Sequence, residues 1–308
     1  MASIGLSMIV KNEWEKLDQC LESVRGVFDQ IVITVNEENP KHIKKAINSV
    51  CLKHNAEVVY HKWENDFAKQ RNYAWNNLTT DWKCWLDADD TVIGYKMINR
   101  FMEKADIDPS VGIIFIPYHY SFDENGNCNS IQGRERIVRA SCGYKWVGAL
   151  HETLIAPKDY MALEGPQGFY VKHNVDTQHI QEAAARNLEI SEIEYERTIK
   201  DKEIDPRILY YYGRALSGSG RGKADMEKAI DIFKKYIELS GWDEEKYSAM
   251  DHMIKCMILC DRQLETLDWC WVMIQMRPMY PFGYFHLARY FMHIEAWGKV
   301  IQIARGEL

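Results

Sequence analysis

Long apolar runs, paired cysteines and a surplus of basic charge are all missing from this chain. No stretch approaches the roughly 18 apolar residues that a bilayer span requires, so no membrane segment is expected. The eight cysteines, at positions 20, 51, 84, 128, 142, 256, 260 and 270, include no C-x-x-C pair. Cys84, Cys256, Cys260 and Cys270 lie in apolar surroundings and read as buried free thiols. A disulfide framework belongs to shorter chains denser in cysteine. The apolar segment Ile4–Val10 has no basic region before it and no small-residue cleavage site after it, so it reads as a first strand, not a signal peptide. A cytoplasmic location is the expectation. The formal charge of −7 argues against a dominant phosphate-backbone partner such as duplex DNA.

With 308 residues, 46% hydrophobic and 27% charged, the chain has room for two domains and a substantial core. Ten Trp and 17 Tyr provide flat surfaces for packing or for stacking on sugars and bases. The first 120 residues alternate strand and helix. Strands are expected at Ile4–Val10, Gln30–Val35, Glu57–Tyr60, Trp82–Leu86 and Val111–Tyr118. Between them lie amphipathic helices at Glu13–Val24, Lys41–Lys53 and Asp66–Leu78, the last capped at Asn65 or Asp66. This order implies a mainly parallel sheet covered on both faces.

Beyond about residue 178 the strand signal stops. Ala183–Lys200 is helical, and three loose helix–turn–helix units follow. Leu209–Leu216 pairs with Ala229–Leu239 across a Gly-rich break at Ser217–Gly222, Ala249–Cys260 with Leu264–Met276, and Phe282–His293 with Ala296–Arg305. The spacing slightly exceeds the 34 residues of a tetratricopeptide repeat, and Pro278 alone is placed as a terminating proline. The expected organisation is an α/β domain over residues 1–178 and a linker helix with tetratricopeptide-like repeats over 179–308.

The densest chemical signal is Trp82-Lys-Cys-Trp-Leu-Asp-Ala-Asp-Asp90, a buried strand ending in three carboxylates. If extended geometry persists, Asp87 and Asp89 project to one side. Paired anionic oxygens at the carboxyl end of a strand suit Mg²⁺ or Mn²⁺, and open α/β sheets bind ligands there. Asp90 is either a spare ligand or a cap for a following helix. Three other segments accompany this one: Leu6-Ser-Met-Ile-Val-Lys-Asn-Glu13, Asn65-Asp-Phe-Ala-Lys-Gln-Arg-Asn72 and Trp146-Val-Gly-Ala-Leu-His-Glu-Thr-Leu154. In this order and spacing they resemble the family 2 glycosyltransferases, inverting nucleotide-sugar enzymes with a Rossmann-like GT-A domain. The resemblance covers roughly residues 3–175 and extends to the subgroup containing bacterial and prophage peptide S-glycosyltransferases, some of which carry a helical-repeat tail.

The resemblance implies that Asp89 contacts the metal with Asp87 nearer the ribose, and that His173 reaches the metal or diphosphate, with His179 as its substitute. It places Val10, Asn12, Glu13, Asn36, Asp66, Arg71, Asp87 and Ala88 around the nucleotide. Asp66 can equally be only a helix cap, and Arg71 only a surface arginine. An inverting transfer needs a base to deprotonate the acceptor, and Glu152 and His151 are the candidates, in that order. The family's usual aspartate at the end of the second strand is replaced by Val35, followed by Asn36, whose hydrogen-bonding set differs from a carboxylate's. Uracil is the expected base, by resemblance. The expected function is thus metal-dependent transfer from a UDP-sugar, with Mn²⁺ or Mg²⁺, to a peptide or protein. Repeats present extended surfaces for such a partner, or for self-association into a homo-oligomer. A glycan, or a phage-type modified nucleic acid met by Lys41, Lys44, Lys45, Lys53, Lys62 and Lys69, is the second acceptor class. A decayed, non-catalytic scaffold is disfavoured by the intact Asp87, Asp89, Arg71 and Glu152. A nucleotidyltransferase would need a Gly-rich basic loop where Lys11-Asn-Glu-Trp stands.

Overall fold

The structure, a computed structural model, describes residues 2–174, 180–202 and 204–307. The chain divides into two compact units, residues 1–177 and 178–308. The expected boundary between 178 and 179, and His179 with it, lies outside the described residues.

The first unit is built on one large mixed sheet. Its parallel half consists of β1 (Ile4–Val10), β2 (Gln30–Asn36), β3 (Glu57–His61) and β4 (Trp82–Trp85), linked by α1 (Trp14–Ser23), α2 (Lys41–Lys53) and α3 (Phe67–Asn77). After these come β5 (Asp90–Ile93), α4 (Ile98–Ile107), β6 (Val111–Phe122) and β7 (Cys128–Arg139). A small ladder of β8 (Lys145–Val147) and β9 (Thr153–Ile155) precedes β10 (Met161–Glu164) and β11 (Tyr170–His173). The strand order is β3-β2-β1-β4-β7-β6-β11-β5, with β10 also on β6. The α/β class and the mainly parallel sheet are as expected.

Alternation along each strand sorts side chains between the two faces. Leu6, Met8, Ile33, Cys84 and Leu86 meet Leu17 and Leu21 of α1, Ile47 of α2 and Met102 of α4 in one core. On the opposite face Trp85 packs with Ala68 and Trp75 of α3 and with Trp146 of β8, while Val32 meets Ala74 and Leu78. Both faces are therefore covered, which accounts for the near-continuous apolar character of β1 and β2.

One of the two readings of Asp90 is set aside, and a further strand joins the sheet. Asp90 caps no helix: it opens β5, which pairs antiparallel with β11. The sheet also contains β7, unforeseen from sequence, which runs antiparallel between β4 and β6. Its first half is polar and largely exposed and its second half carries three arginines, so no clean apolar alternation marks it.

The second unit is all helical among its described residues. After α5 (Ile180–Asp201) come α6 (Pro206–Ser217), α7 (Lys223–Leu239), α8 (Asp243–Leu259), α9 (Thr266–Met276), α10 (Pro281–His293) and α11 (Trp297–Ala304). Asp205 starts α6 by accepting the Arg207 N–H at 2.9 Å, with Pro206 in the first turn where its missing N–H costs nothing. Gly213 sits against the Phe233 ring so closely that a Cβ would lie 2.7 Å from it, which lets α6 and α7 approach. Two apolar clusters follow one another along the helices, one around Tyr212, Phe233 and Met253 and one around Met250, Met273 and Leu287.

Candidate active site

Strand order places the site. β1 lies between β2 and β4, so the chain leaves β1 on one side and, after β3, returns on the other. The carboxyl ends of β1 and β4 therefore flank a topological switch point, where open α/β sheets hold ligands. Val10 ends β1 and is buried; Asn12 beyond it is exposed. Glu13 Oε2 accepts the N–H groups of Lys11 and Asn12 at 3.1 and 2.9 Å and so shapes this loop. At the end of β2, Asn36 Oδ1 accepts from Glu38 N and Trp63 N, both at 3.2 Å, tying the loop after β3 to β2. Asp66 caps α3, its Oδ1 accepting the Lys69 N–H at 2.8 Å.

The acidic segment does not continue as a strand. It turns back on itself, with Asp90 N–H donating to the Asp87 carbonyl and Asp87 N–H to Asp90 Oδ2, each at 3.0 Å. The condition for Asp87 and Asp89 to project together is not met, and the structure instead gathers Asp89, Asp90 and His173. His173 faces Asp90 across the β5–β11 ladder. Its Nδ1 lies 3.7 Å from Asp89 Oδ1 and 3.9 Å from Asp90 Oδ1, too far for hydrogen bonds. His173 Nδ1 and Asp90 Oδ1 are both buried without a partner. Two orphaned buried atoms facing each other, with a third carboxylate beside them, fit a divalent cation. Two hard oxygens and one imidazole suit Mn²⁺ or Mg²⁺.

Electrostatics agree with that fit. Burial, and then the charge of Asp87, push the Asp89 carboxyl up to about 6. The facing Asp90 carboxylate, opposed by burial and helped by Asp89 and Asp87, raises the His173 imidazole above its ordinary value. Asn174 steadies the segment, its N–H and its Nδ2 each donating to the Asp89 carbonyl at 2.9 Å. The other Asp90 oxygen is held by Arg136, a fully buried guanidinium whose Nη1 donates to Oδ2 at 2.9 Å. Arg136 lies over the rings of Trp85 and Tyr118 at 3.8 and 4.4 Å. Neither Arg136 nor Asn174 was anticipated from the sequence. The only trace of Arg136 is an arginine beside Ile137 and Val138.

Beside this group, Arg71 of α3 is buried between Trp85 and Trp146, 5.1 and 4.9 Å from their rings. Its Nη2 donates to Asp87 Oδ1 at 2.8 Å and its Nε to Glu152 Oε1 at 2.5 Å. It is therefore no surface arginine. Burial works against its charge, but Asp87 and Glu152 outweigh that and hold its pKa above the usual arginine value. Asp87, held by Arg71, stands outside the three-residue group, and Ala88 between the two is buried. Glu152 follows a loop with two left-handed residues, Gly148 (φ 100°) and His151 (φ 52°). That loop points His151 outward, where it is exposed, and leaves the Glu152 side chain 12% exposed against Arg71. Phe67 N–H donates to the Ala149 carbonyl at 2.9 Å and fixes the loop to the start of α3.

Residues 6–149 match the family Glycosyl transferase family 2. That is just under half of the chain and includes most of β1, all of α3 and the acidic turn. The SPbeta prophage-derived glycosyltransferase SunS of Bacillus subtilis (strain 168) is 24% identical over 262 residues, 83% of this chain. The glycosyltransferase SunS of Bacillus phage SPbeta is similar to the same extent. The chain spans 57% of the length of these relatives. A TPR repeat-containing protein of Synechococcus elongatus is 31% identical over 93 residues, 30% of this chain and 22% of that protein. Among solved structures, S. aureus TarS is 12% identical with a TM-score of 0.42, covering 86% of this chain and 54% of that one. The mannosyltransferase PcManGT from Pyrobaculum calidifontis, in complex with GDP-Man and Mn²⁺, is 12% identical with a TM-score of 0.43, covering 89% and 86%. No described helix is long and apolar enough to cross a membrane.

Proposed function

We propose that the chain is a metal-dependent, inverting glycosyltransferase that moves a hexose from a nucleotide-sugar, UDP-linked first, to a peptide or protein. The carrying observation is the switch-point group of Asp89, Asp90 and His173, with its two orphaned atoms, next to the Arg71–Glu152 pair. The family match over residues 6–149 and the two glycosyltransferase relatives support the reaction class. Asp89, Asp90 and His173 would hold a divalent cation, whose positive charge would offset that of the departing diphosphate.

The chain's own residues do the rest. Asp87, one-third exposed and fixed by Arg71, is placed to accept hydrogen bonds from a ribose. The same reading assigns Val10, Asn12, Glu13, Ala88, Asn36 and Asp66 to the surroundings of the nucleotide. Glu152 takes the acceptor's proton as the acceptor atom bonds to the anomeric carbon and the bond to the diphosphate oxygen breaks. Arg71 Nε donates to Glu152 Oε1 and fixes its direction. His151, exposed on the left-handed turn, is the alternative base. The helix pairs of the second unit, read as tetratricopeptide-like repeats, suit an extended polypeptide partner.

A thermal-shift screen of UDP-, GDP- and dTDP-sugars, with and without Mn²⁺, tests this reading. A donor at 100 times its dissociation constant stabilises the fold by about 2.7 kcal/mol. The expected result is a metal-dependent shift largest with a UDP-sugar, and no shift with any nucleotide-sugar would sink the proposal.

A further inference from the structure

Metal-ligating histidines are ordinarily oriented by a hydrogen bond at the second ring nitrogen. His173 makes no side-chain hydrogen bond among the described residues, and its Nδ1 is buried without a partner. Something else must set its ring plane. The parallel register that places Tyr118 opposite Val171 brings Tyr120 level with His173 on the same face of β6. The Tyr120 and His173 rings are stacked, 5.3 Å between centroids and 8° from parallel. Tyr118 meets the same imidazole at 5.8 Å, tilted by 57°. Tyr118 is itself buried and packed against Arg136. Tyr120 is 47% exposed, so its contact with His173 is not a by-product of core packing.

We propose that Tyr120 is a positioning residue for the metal site: its ring lies flat on His173 and fixes the imidazole plane with Nδ1 turned toward Asp89 and Asp90. The inference rests on the metal reading of Asp89, Asp90 and His173 given above. A phenol on one face and the tilted Tyr118 ring beside it leave the imidazole little rotation about its Cβ–Cγ bond. Rotation would carry Nδ1 away from the two carboxylate oxygens and cost affinity for the ion. The side chain's contribution is its ring and not its hydroxyl, so phenylalanine should replace it.

Mn²⁺ binding to the full chain, followed by the EPR signal of free Mn²⁺ without donor or acceptor, tests this apart from turnover. Tyr120→Ala and Tyr120→Leu should each weaken Mn²⁺ binding about tenfold, the lower end for partners of a ligating histidine. Tyr120→Phe should bind like the wild type. Leucine fills much of the tyrosine's volume without a π face, which covers the case in which the alanine variant does not fold. Unchanged Mn²⁺ affinity in the folded non-aromatic variants overturns the proposal, as does a Tyr120→Phe variant as weak as they are. His173→Ala separates the two readings. If it binds Mn²⁺ like the wild type, the metal assignment falls and this inference with it. If it binds weakly while Tyr120→Ala does not, only the positioning role is refuted.

Discussion

Replacing Arg71 by methionine is the sharpest perturbation of the first unit. Methionine keeps an unbranched stem between Trp85 and Trp146 but removes both charge-assisted bonds, at 2.8 Å to Asp87 and 2.5 Å to Glu152. Each such bond contributes about 1.5–3 kcal/mol when well buried. Asp87 is 33% exposed and can rehydrate, so its share drops toward the value of about 0–1 kcal/mol typical of surface pairs. Glu152, 12% exposed, cannot rehydrate as easily and is left a nearly buried, unpaired carboxylate. The expected loss at pH 7 is about 3 kcal/mol, at the low end for breaking a buried pair. The sign of its pH dependence follows. In the wild type the Asp87 carboxyl is held low, burial being outweighed by Arg71 and Arg136, so its contribution is present above the ordinary carboxylate range and lost as pH falls through its lowered value. The pair is thus intact at both pH 7 and pH 5. The deficit should therefore hold between pH 7 and pH 5 and shrink as pH falls below the ordinary carboxylate range. Urea unfolding followed by tryptophan fluorescence reads this directly, because Trp85 and Trp146 flank the site. A loss below about 1 kcal/mol at pH 7, the surface-pair value, or a deficit that does not shrink in acid, would refute the assignment of Arg71 as a buried bridge.

Asp89→Asn should abolish turnover and remove the Mn²⁺ dependence of UDP binding in calorimetry. Because the folded-state pKa of Asp89 is raised to about 6, ionising it costs the metal-free fold stability as pH rises from the ordinary carboxylate range through about 6. Metal-free Asp89→Asn should therefore be more stable than the wild type at pH 7 and lose that advantage in acid, and equal stability at pH 7 would contradict the raised value. Glu152→Gln should slow the chemical step by about 10²–10⁴-fold with a hydroxyl acceptor while leaving donor binding unchanged. The loss should be smaller with a thiol version of the same acceptor, since a thiol is partly ionised unaided. Unimpaired transfer to the hydroxyl would move the role to His151.

What was legible in the sequence was whatever depends on neighbours along the chain. The short apolar runs at Ile31–Val35 and at Trp82 marked buried strands that can be read locally, and Asp66 followed by helical periodicity marked the start of α3. The same reasoning left Asp90 open between a spare ligand and a helix cap, because a carboxylate after a strand resembles a cap unless the strand opposite it is known. Arg136 was invisible for a related reason. A charged residue in an apolar core is tolerated only if its partner is there, and that partner, Asp90, comes from a distant element. Asp87 and Asp89 stood out as a carboxylate pair, but their projection did not follow from the sequence, since the turn closing Asp87 to Asp90 is stabilised by that same buried ion pair.

The ladder between β5 and β11 has a consequence for the order in which the site comes into being. Asp90 and His173 face each other across two strands that are remote in the chain, and His173 lies on the last strand of the first unit. A nascent or partly unfolded chain that has formed only the parallel half of its sheet holds the carboxylates of the acidic turn but no imidazole opposite them. It presents a loose acidic loop with weak preference among cations. On the proposed metal reading, selective capture would begin only when β11 docks, and an ion held by Asp89, Asp90 and His173 would stabilise that last, non-local pairing. Metal removal should then be felt first as fraying of β5 and β11, at the edge of the sheet, and amide exchange along those two strands would report it.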